Sequence, residues 1–123
     1  MAQTSEDFLD RLVRINNNRC LFWHPEGVKQ WSALEWAGAA AGEMGEAANV
    51  AKKLKRIDDD VTHSKPEMTR DRELLVSMLG EEIADTIIYN LLLAAREGID
   101  VKAALRRKFN ETSAKIGYTS EIL

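Results

Sequence analysis

Apolar residues recur at helical intervals through most of this chain, and stretches that alternate apolar with polar are few. Phe8, Leu9, Leu12 and Ile15 share one face and predict a first helix from about Ser5 to Ile15. Asn16, Asn17 and Asn18 come next; their short amides compete for backbone hydrogen bonds, so the helix is expected to stop there. Phe22 to Trp31, which contains His24-Pro25-Glu26-Gly27, reads as a loop. Ser32-Ala33-Leu34-Glu35 has the spacing of a capping box and opens a second helix that reaches about Ile57. Lys52, Lys53, Lys55 and Arg56 then fall where cations suit the helix dipole. Asp58 through Pro66 is a polar connection, followed by a third helix from about Thr69 to Glu97 that Gly98 closes. Asp100 can cap a fourth, from Val101 to about Lys115, which ends at Gly117.

This pattern predicts an all-α fold, a bundle of about four helices in a single domain over residues 1–123. The second and third helices are long, and a connection of roughly a dozen residues makes them antiparallel neighbours. The second is rich in small residues, among them Gly38, Ala41, Gly42, Gly45 and Ala48. Another helix can approach such a surface closely, so self-association is expected to complete the bundle, the alternative being tight packing within one chain.

Composition narrows the class without changing the fold. A formal charge of −3 gives no basic excess for a nucleic-acid polymer or an anionic membrane. The one cysteine, Cys20, can form no internal disulfide and has no partner for a zinc motif, which fits a reduced, cytoplasmic setting. Residues 1–10 contain Glu6 and Asp7 where a secretory signal needs a basic start and an apolar run. Acids interrupt the most apolar stretches, so no bilayer span is expected.

Those acids carry the chemistry. From Trp36 to Ala51 the only charged residues are Glu43 and Glu46, and from Leu74 to Ala95 they are Glu81, Glu82 and Asp85. A solvated helix face ordinarily mixes acids with bases three or four residues apart, and neither stretch contains a base. Glu43 and Glu46 are three apart, as are Glu82 and Asp85, so each pair shares a helix face. Antiparallel helices would gather these carboxylates around one small volume. Like charges so close repel unless a cation sits among them, and an all-oxygen set selects a hard ion, Mg²⁺ first and Mn²⁺ or Ca²⁺ as substitutes. A single such pair is commonly just an exposed face. A di-iron site would need Glu-x-x-His pairs, but the two histidines are His24, beside a proline, and His63, in the polar connection.

Gly42-Glu43-Met44-Gly45-Glu46-Ala47 together with Glu81-Glu82-Ile83-Ala84-Asp85 resembles the MazG-like all-α nucleoside triphosphate pyrophosphohydrolases. Gly98-Ile99-Asp100 and Lys108-Phe109-Asn110 extend the resemblance, which covers roughly Leu34 to Tyr118. It implies Mg²⁺-dependent cleavage of a nucleoside triphosphate to the monophosphate and pyrophosphate, by a homodimer or a dimer of dimers. It also implies Glu43, Glu46, Glu82 and Asp85 as metal ligands, and Glu81 as a residue that orients a ligand or helps to activate water. Tyr89, Lys108 and Asn110 would contact substrate or close the site. Gly42 stands where many relatives carry a further Glu.

Lys53, two turns beyond Glu46, could reach outer phosphates, or could simply complement the helix end. Trp31, beside the loop and the helix start, is a candidate platform for a base, as are Trp23 and Trp36, although core packing is the ordinary role of a tryptophan. The other class of function compatible with these residues is a non-catalytic helical module that binds a nucleotide or partner around a structural metal.

Overall fold

The computed structural model describes residues 5–59 and 71–123, and among these every regular element is helical. They are α1 (Phe8–Cys20), α2 (Ala33–Asp58), α3 (Arg72–Arg96) and α4 (Val101–Lys115), with one 3₁₀ turn at Gly27–Gln30. Expectations that fall on Thr69, Pro66 and His63 lie outside the described residues. No helix among the described residues is long and apolar enough to cross a membrane. The chain forms two compact units, one of Leu34–Asn90 and one that combines Met1–Ala33 with Leu91–Leu123.

In the first of these units α2 and α3 run antiparallel along a regular seam. The inward row of α2 is Trp36, Ala40, Glu43, Ala47, Val50, Leu54 and Ile57, all buried or half-buried, with steps that alternate four and three. The row of α3 is Leu75, Leu79, Glu82, Thr86 and Tyr89, with the same alternation. Such steps average about 3.5 residues, the repeat that keeps two helices in register along a left-handed seam. Cross-helix pairs confirm the register. Trp36 faces Tyr89 with ring centroids 6.2 Å apart. Seven residues on, Glu43 meets Glu82. Seven further, Val50 shares one cluster with Leu54 and Leu75, against which Ile57, Met78 and Leu79 pack. At the end of the pair Arg72 donates to both carboxylate oxygens of Asp58, at 2.9 and 3.3 Å. These side chains are half exposed, so the register rests on the apolar row rather than on this ion pair.

The helix limits follow local chemistry. α2 begins at Ala33, directly after Ser32. The Asp71 carboxylate accepts from the Leu74 amide at 3.2 Å before α3, and that of Asp100 from the Ala103 amide at 3.1 Å before α4. α3 and α4 both end in a left-handed glycine, Gly98 at φ 68° and Gly117 at φ 80°. In each case the next amide reaches back, Ile99 to the Ala94 carbonyl and Tyr118 to the Ser113 carbonyl, both at 2.8 Å. A Cβ on Gly98 would meet no atom within 4 Å, so only backbone strain opposes one. Gly98→Ala is therefore expected to cost about 1–2 kcal/mol in chemical unfolding.

Both limits of α1 differ from expectation: it starts at Phe8 rather than about Ser5, because the Asp7 carboxylate accepts from the Asp10 amide at 2.9 Å and caps it there. α1 does not stop at Asn16 but runs through all three asparagines to Cys20. Asn16 and Cys20 are both buried, at 3 % exposure each. Burial of that face outweighs a helix penalty of at most about 0.7 kcal/mol per asparagine. The loop that follows contains the 3₁₀ turn and packs on α1. His24 and Trp31 meet edge to face at 4.7 Å, and the Arg96 Nε donates to the Trp31 carbonyl at 2.7 Å.

Candidate metal centre

Glu43 and Glu82 occupy positions that the seam otherwise fills with apolar or small side chains. Each is half-buried, and with exposed Asp85 they offer one oxygen apiece, all within 4.8 Å of one another. Oε2 of Glu82 is shut off from solvent and has no hydrogen-bond partner among the described residues. A buried carboxylate oxygen left in that state is costly unless a proton or a cation reaches it.

Electrostatics agree with the geometry. The Glu82 carboxyl is held above the ordinary glutamate value of 4.5, first because Glu43 is placed to share a proton with it. Burial comes next, then the negative charges of Glu43, Glu46 and Asp85. A group raised on folding stabilises the fold fully below 4.5, and that contribution is lost as pH rises through the folded value. The metal-free protein should therefore lose thermal stability from this group as pH rises above 4.5. Mg²⁺, if these carboxylates hold it, should stabilise the fold more above that value than below it, where Glu82 keeps its proton. Melting curves with chelator and with Mg²⁺ on both sides of that value are the measurement.

The donor set fits a hard divalent ion: carboxylate oxygens only, and room beside exposed Asp85 for water or phosphate oxygens. Glu46 is exposed, one step off the inward row. It acts on the Glu82 charge but is outside the close group of three. Glu81 is also exposed, one turn before Asp85 on the same face of α3. Tyr89 is in the inward row, one heptad from Glu82, against Trp36. Lys53 is half-buried on α2.

The remaining candidates belong to the other unit. Trp31 is half-buried against His24. Lys108 lies on an open, largely apolar face of α4 beside Leu105 and Phe109. The amide of Asn110 is engaged by the chain itself: Nδ2 donates to the Leu123 carbonyl at 3.0 Å and Oδ1 accepts from the Leu123 amide at 2.9 Å. Of the three tryptophans Trp36 is the buried one, at 1 % exposure, while Trp23 is 68 % exposed under the Arg19 guanidinium.

Sequence reasoning overlooked Thr86. It sits between Glu82 and Tyr89 in the inward row and its hydroxyl donates to the Glu82 carbonyl at 2.8 Å. Its four-residue spacing from Glu82 was the available signal. Comparison with protein-family models, with curated proteins and with solved structures finds no match for this chain.

Proposed function

We propose that this protein is a Mg²⁺-dependent nucleoside triphosphate pyrophosphohydrolase of the MazG-like kind. The reading is carried by one observation: two carboxylates face each other inside the helix seam, with a third beside them and one buried oxygen unpartnered. Such an arrangement favours a cation over any purely structural use, since an apolar pair would pack the same positions without repulsion.

Glu43, Glu82 and Asp85 would hold the ion, with Glu46 adding charge from the edge, and the ion would neutralise the phosphate chain and lower the pKa of a water. Glu81, exposed next to Glu82, would orient the attacking water or take its proton. Lys53 attracts the outer phosphates, and Tyr89 bounds the site along the seam. Water attacks the α-phosphorus, the bond to the bridging oxygen breaks, and pyrophosphate leaves with the nucleoside monophosphate as the other product.

A homodimer is part of this proposal. Each long helix carries a second row in four-and-three steps that a single chain leaves exposed: Leu34, Gly38, Ala41, Gly45 and Ala48 on α2, and Val76, Gly80, Ile83 and Ile87 on α3. Nothing lies within 4 Å of a Cβ built on Gly38, Gly45 or Gly80, which leaves space for a second helix.

The test is product release from a panel of ribo- and deoxynucleoside triphosphates with Mg²⁺. Pyrophosphate and monophosphate in equal amounts are expected, with none in chelator. Orthophosphate and diphosphate would reject attack at the α-phosphorus. Ion binding with no turnover on any triphosphate would leave a binding module in place of an enzyme.

A further inference from the structure

Of the 15 residues of α4 only Ser113 is buried. Leu105 and Phe109 within the helix, and Ile116 just beyond it, are each more than half exposed. A helix of this length is marginal in water by itself and ordinarily owes its stability to a covered apolar face. Here that face is open. Val101, Ala104, Leu105, Lys108, Phe109 and Thr112 follow one another at the steps of a single helix face and line a shallow hollow of about 470 Å³. The chain's own tail does not fill it, because Asn110, which holds Leu123, is not among the lining residues.

Charge narrows the choice of occupant. The chain as a whole is acidic, at −3, yet α4 carries five basic residues and one acid. Lys102 is engaged by Asp7 and Asp10, and Lys115 by Glu111. Arg106, Arg107 and Lys108 are exposed and make no ion pair among the described residues. Lys108 lies in the hollow, and by helical geometry the two arginines fall on opposite sides of it. A concave apolar surface accepts a projecting side chain, whereas a bilayer covers side chains that project into it. Unpaired cations around the hollow select an occupant with acids beside that side chain.

We infer that this face docks an acidic amphipathic helix of a partner protein, with a leucine-sized side chain seated between Leu105 and Phe109 and carboxylates turned to Lys108 and the arginines. The carboxylates of the metal centre take no part, so the inference stands apart from the proposed activity.

Three synthetic helical peptides of about 16 residues test it. One carries leucines at four-and-three steps flanked by glutamates, the second has lysines for the glutamates, and the third has serines for the leucines. Each is titrated into isotope-labelled full-length protein and followed by amide shifts. The leucine–glutamate peptide is expected to shift Leu105, Phe109 and Thr112 and to bind at least about tenfold tighter than either control. Salt at about 1 M should remove most of its advantage over the lysine peptide. Phe109→Ser should abolish the shifts without unfolding the chain, since the position is exposed. Equal binding of the lysine peptide would reduce the face to a sticky apolar patch, and equal binding of the serine peptide to a plain anion patch. Either result overturns the inference, as do shifts that miss α4. It is also overturned if vesicles rich in phosphatidylserine shift α4 while the peptide does not. A Phe109→Ser chain that sediments as a smaller oligomer than the parent, with no peptide present, would assign the face to a second copy instead.

Discussion

Glu82→Gln is expected to raise the melting temperature of the metal-free protein while lowering triphosphate turnover by at least about a hundredfold. The opposite directions follow from one cause. Glu82 sits in the inward row against Glu43, with its carboxyl pushed up by that neighbour, by burial and by the surrounding acids. Gln keeps the shape, can donate to Glu43, and removes one of the repelling charges, so the apo fold gains. The same change removes a proposed ligand, so Mg²⁺ should no longer raise the melting temperature. Calorimetry with and without Mg²⁺, alongside pyrophosphate release, reads all three effects. A metal-free variant that melts lower than the parent would mean that Glu82 is an ordinary stabilising side chain, and the case for an ion would fall with it.

The second large effect concerns the other end of the seam. Trp36→Ala is expected to cost about 3–5 kcal/mol, because a fully buried indole leaves a cavity that α2 and α3 cannot close. For a chain of this size the melting temperature should fall by more than about 10 °C. Trp23→Ala, at an exposed position, should stay within about 0.5 kcal/mol. Urea unfolding of the two variants separates the tryptophan that builds the core from one that does not. Equal costs would contradict the burial pattern. Tyr89 packs on Trp36, so a deletion there also loosens the wall nearest the carboxylates.

The helices were largely legible because their signals are local. A capping residue and a run at helical spacing set α2 and α4 to within a residue or two, and a terminal glycine closes α3 and α4. The intrinsic preference of the three asparagines ends α1 too early, whereas burial of Asn16 and Cys20 decides that helix, and burial is a property of the whole unit. The acidic residues were legible as a group, since two apolar stretches without a base are visible in the chain. Their division into inward and outward positions was not drawn from the three-residue spacings. Glu43 and Glu46 share a helix face broadly, but only the four-and-three row from Trp36 to Ile57 shows that Glu43 points inward and Glu46 does not. That row was present in the sequence; choosing it over its neighbours needed the partner row on α3. The hydrogen bonds of Asn110 with Leu123 join residues distant in the chain and have no local signal at all.

The seam repeats every seven residues, and the carboxylates take up one rung of it, between Trp36–Tyr89 above and the Val50–Leu75 cluster below. The flanking rungs fix the spacing of the helices without help from the acids. The proposed chemistry would thus be confined to an exchangeable layer of a ladder whose rails are already stable. An ancestral or designed helix pair with leucines at both positions would gain this centre through two substitutions at facing sites and a third one step outward. The reverse exchange would yield a sturdier and inert hairpin.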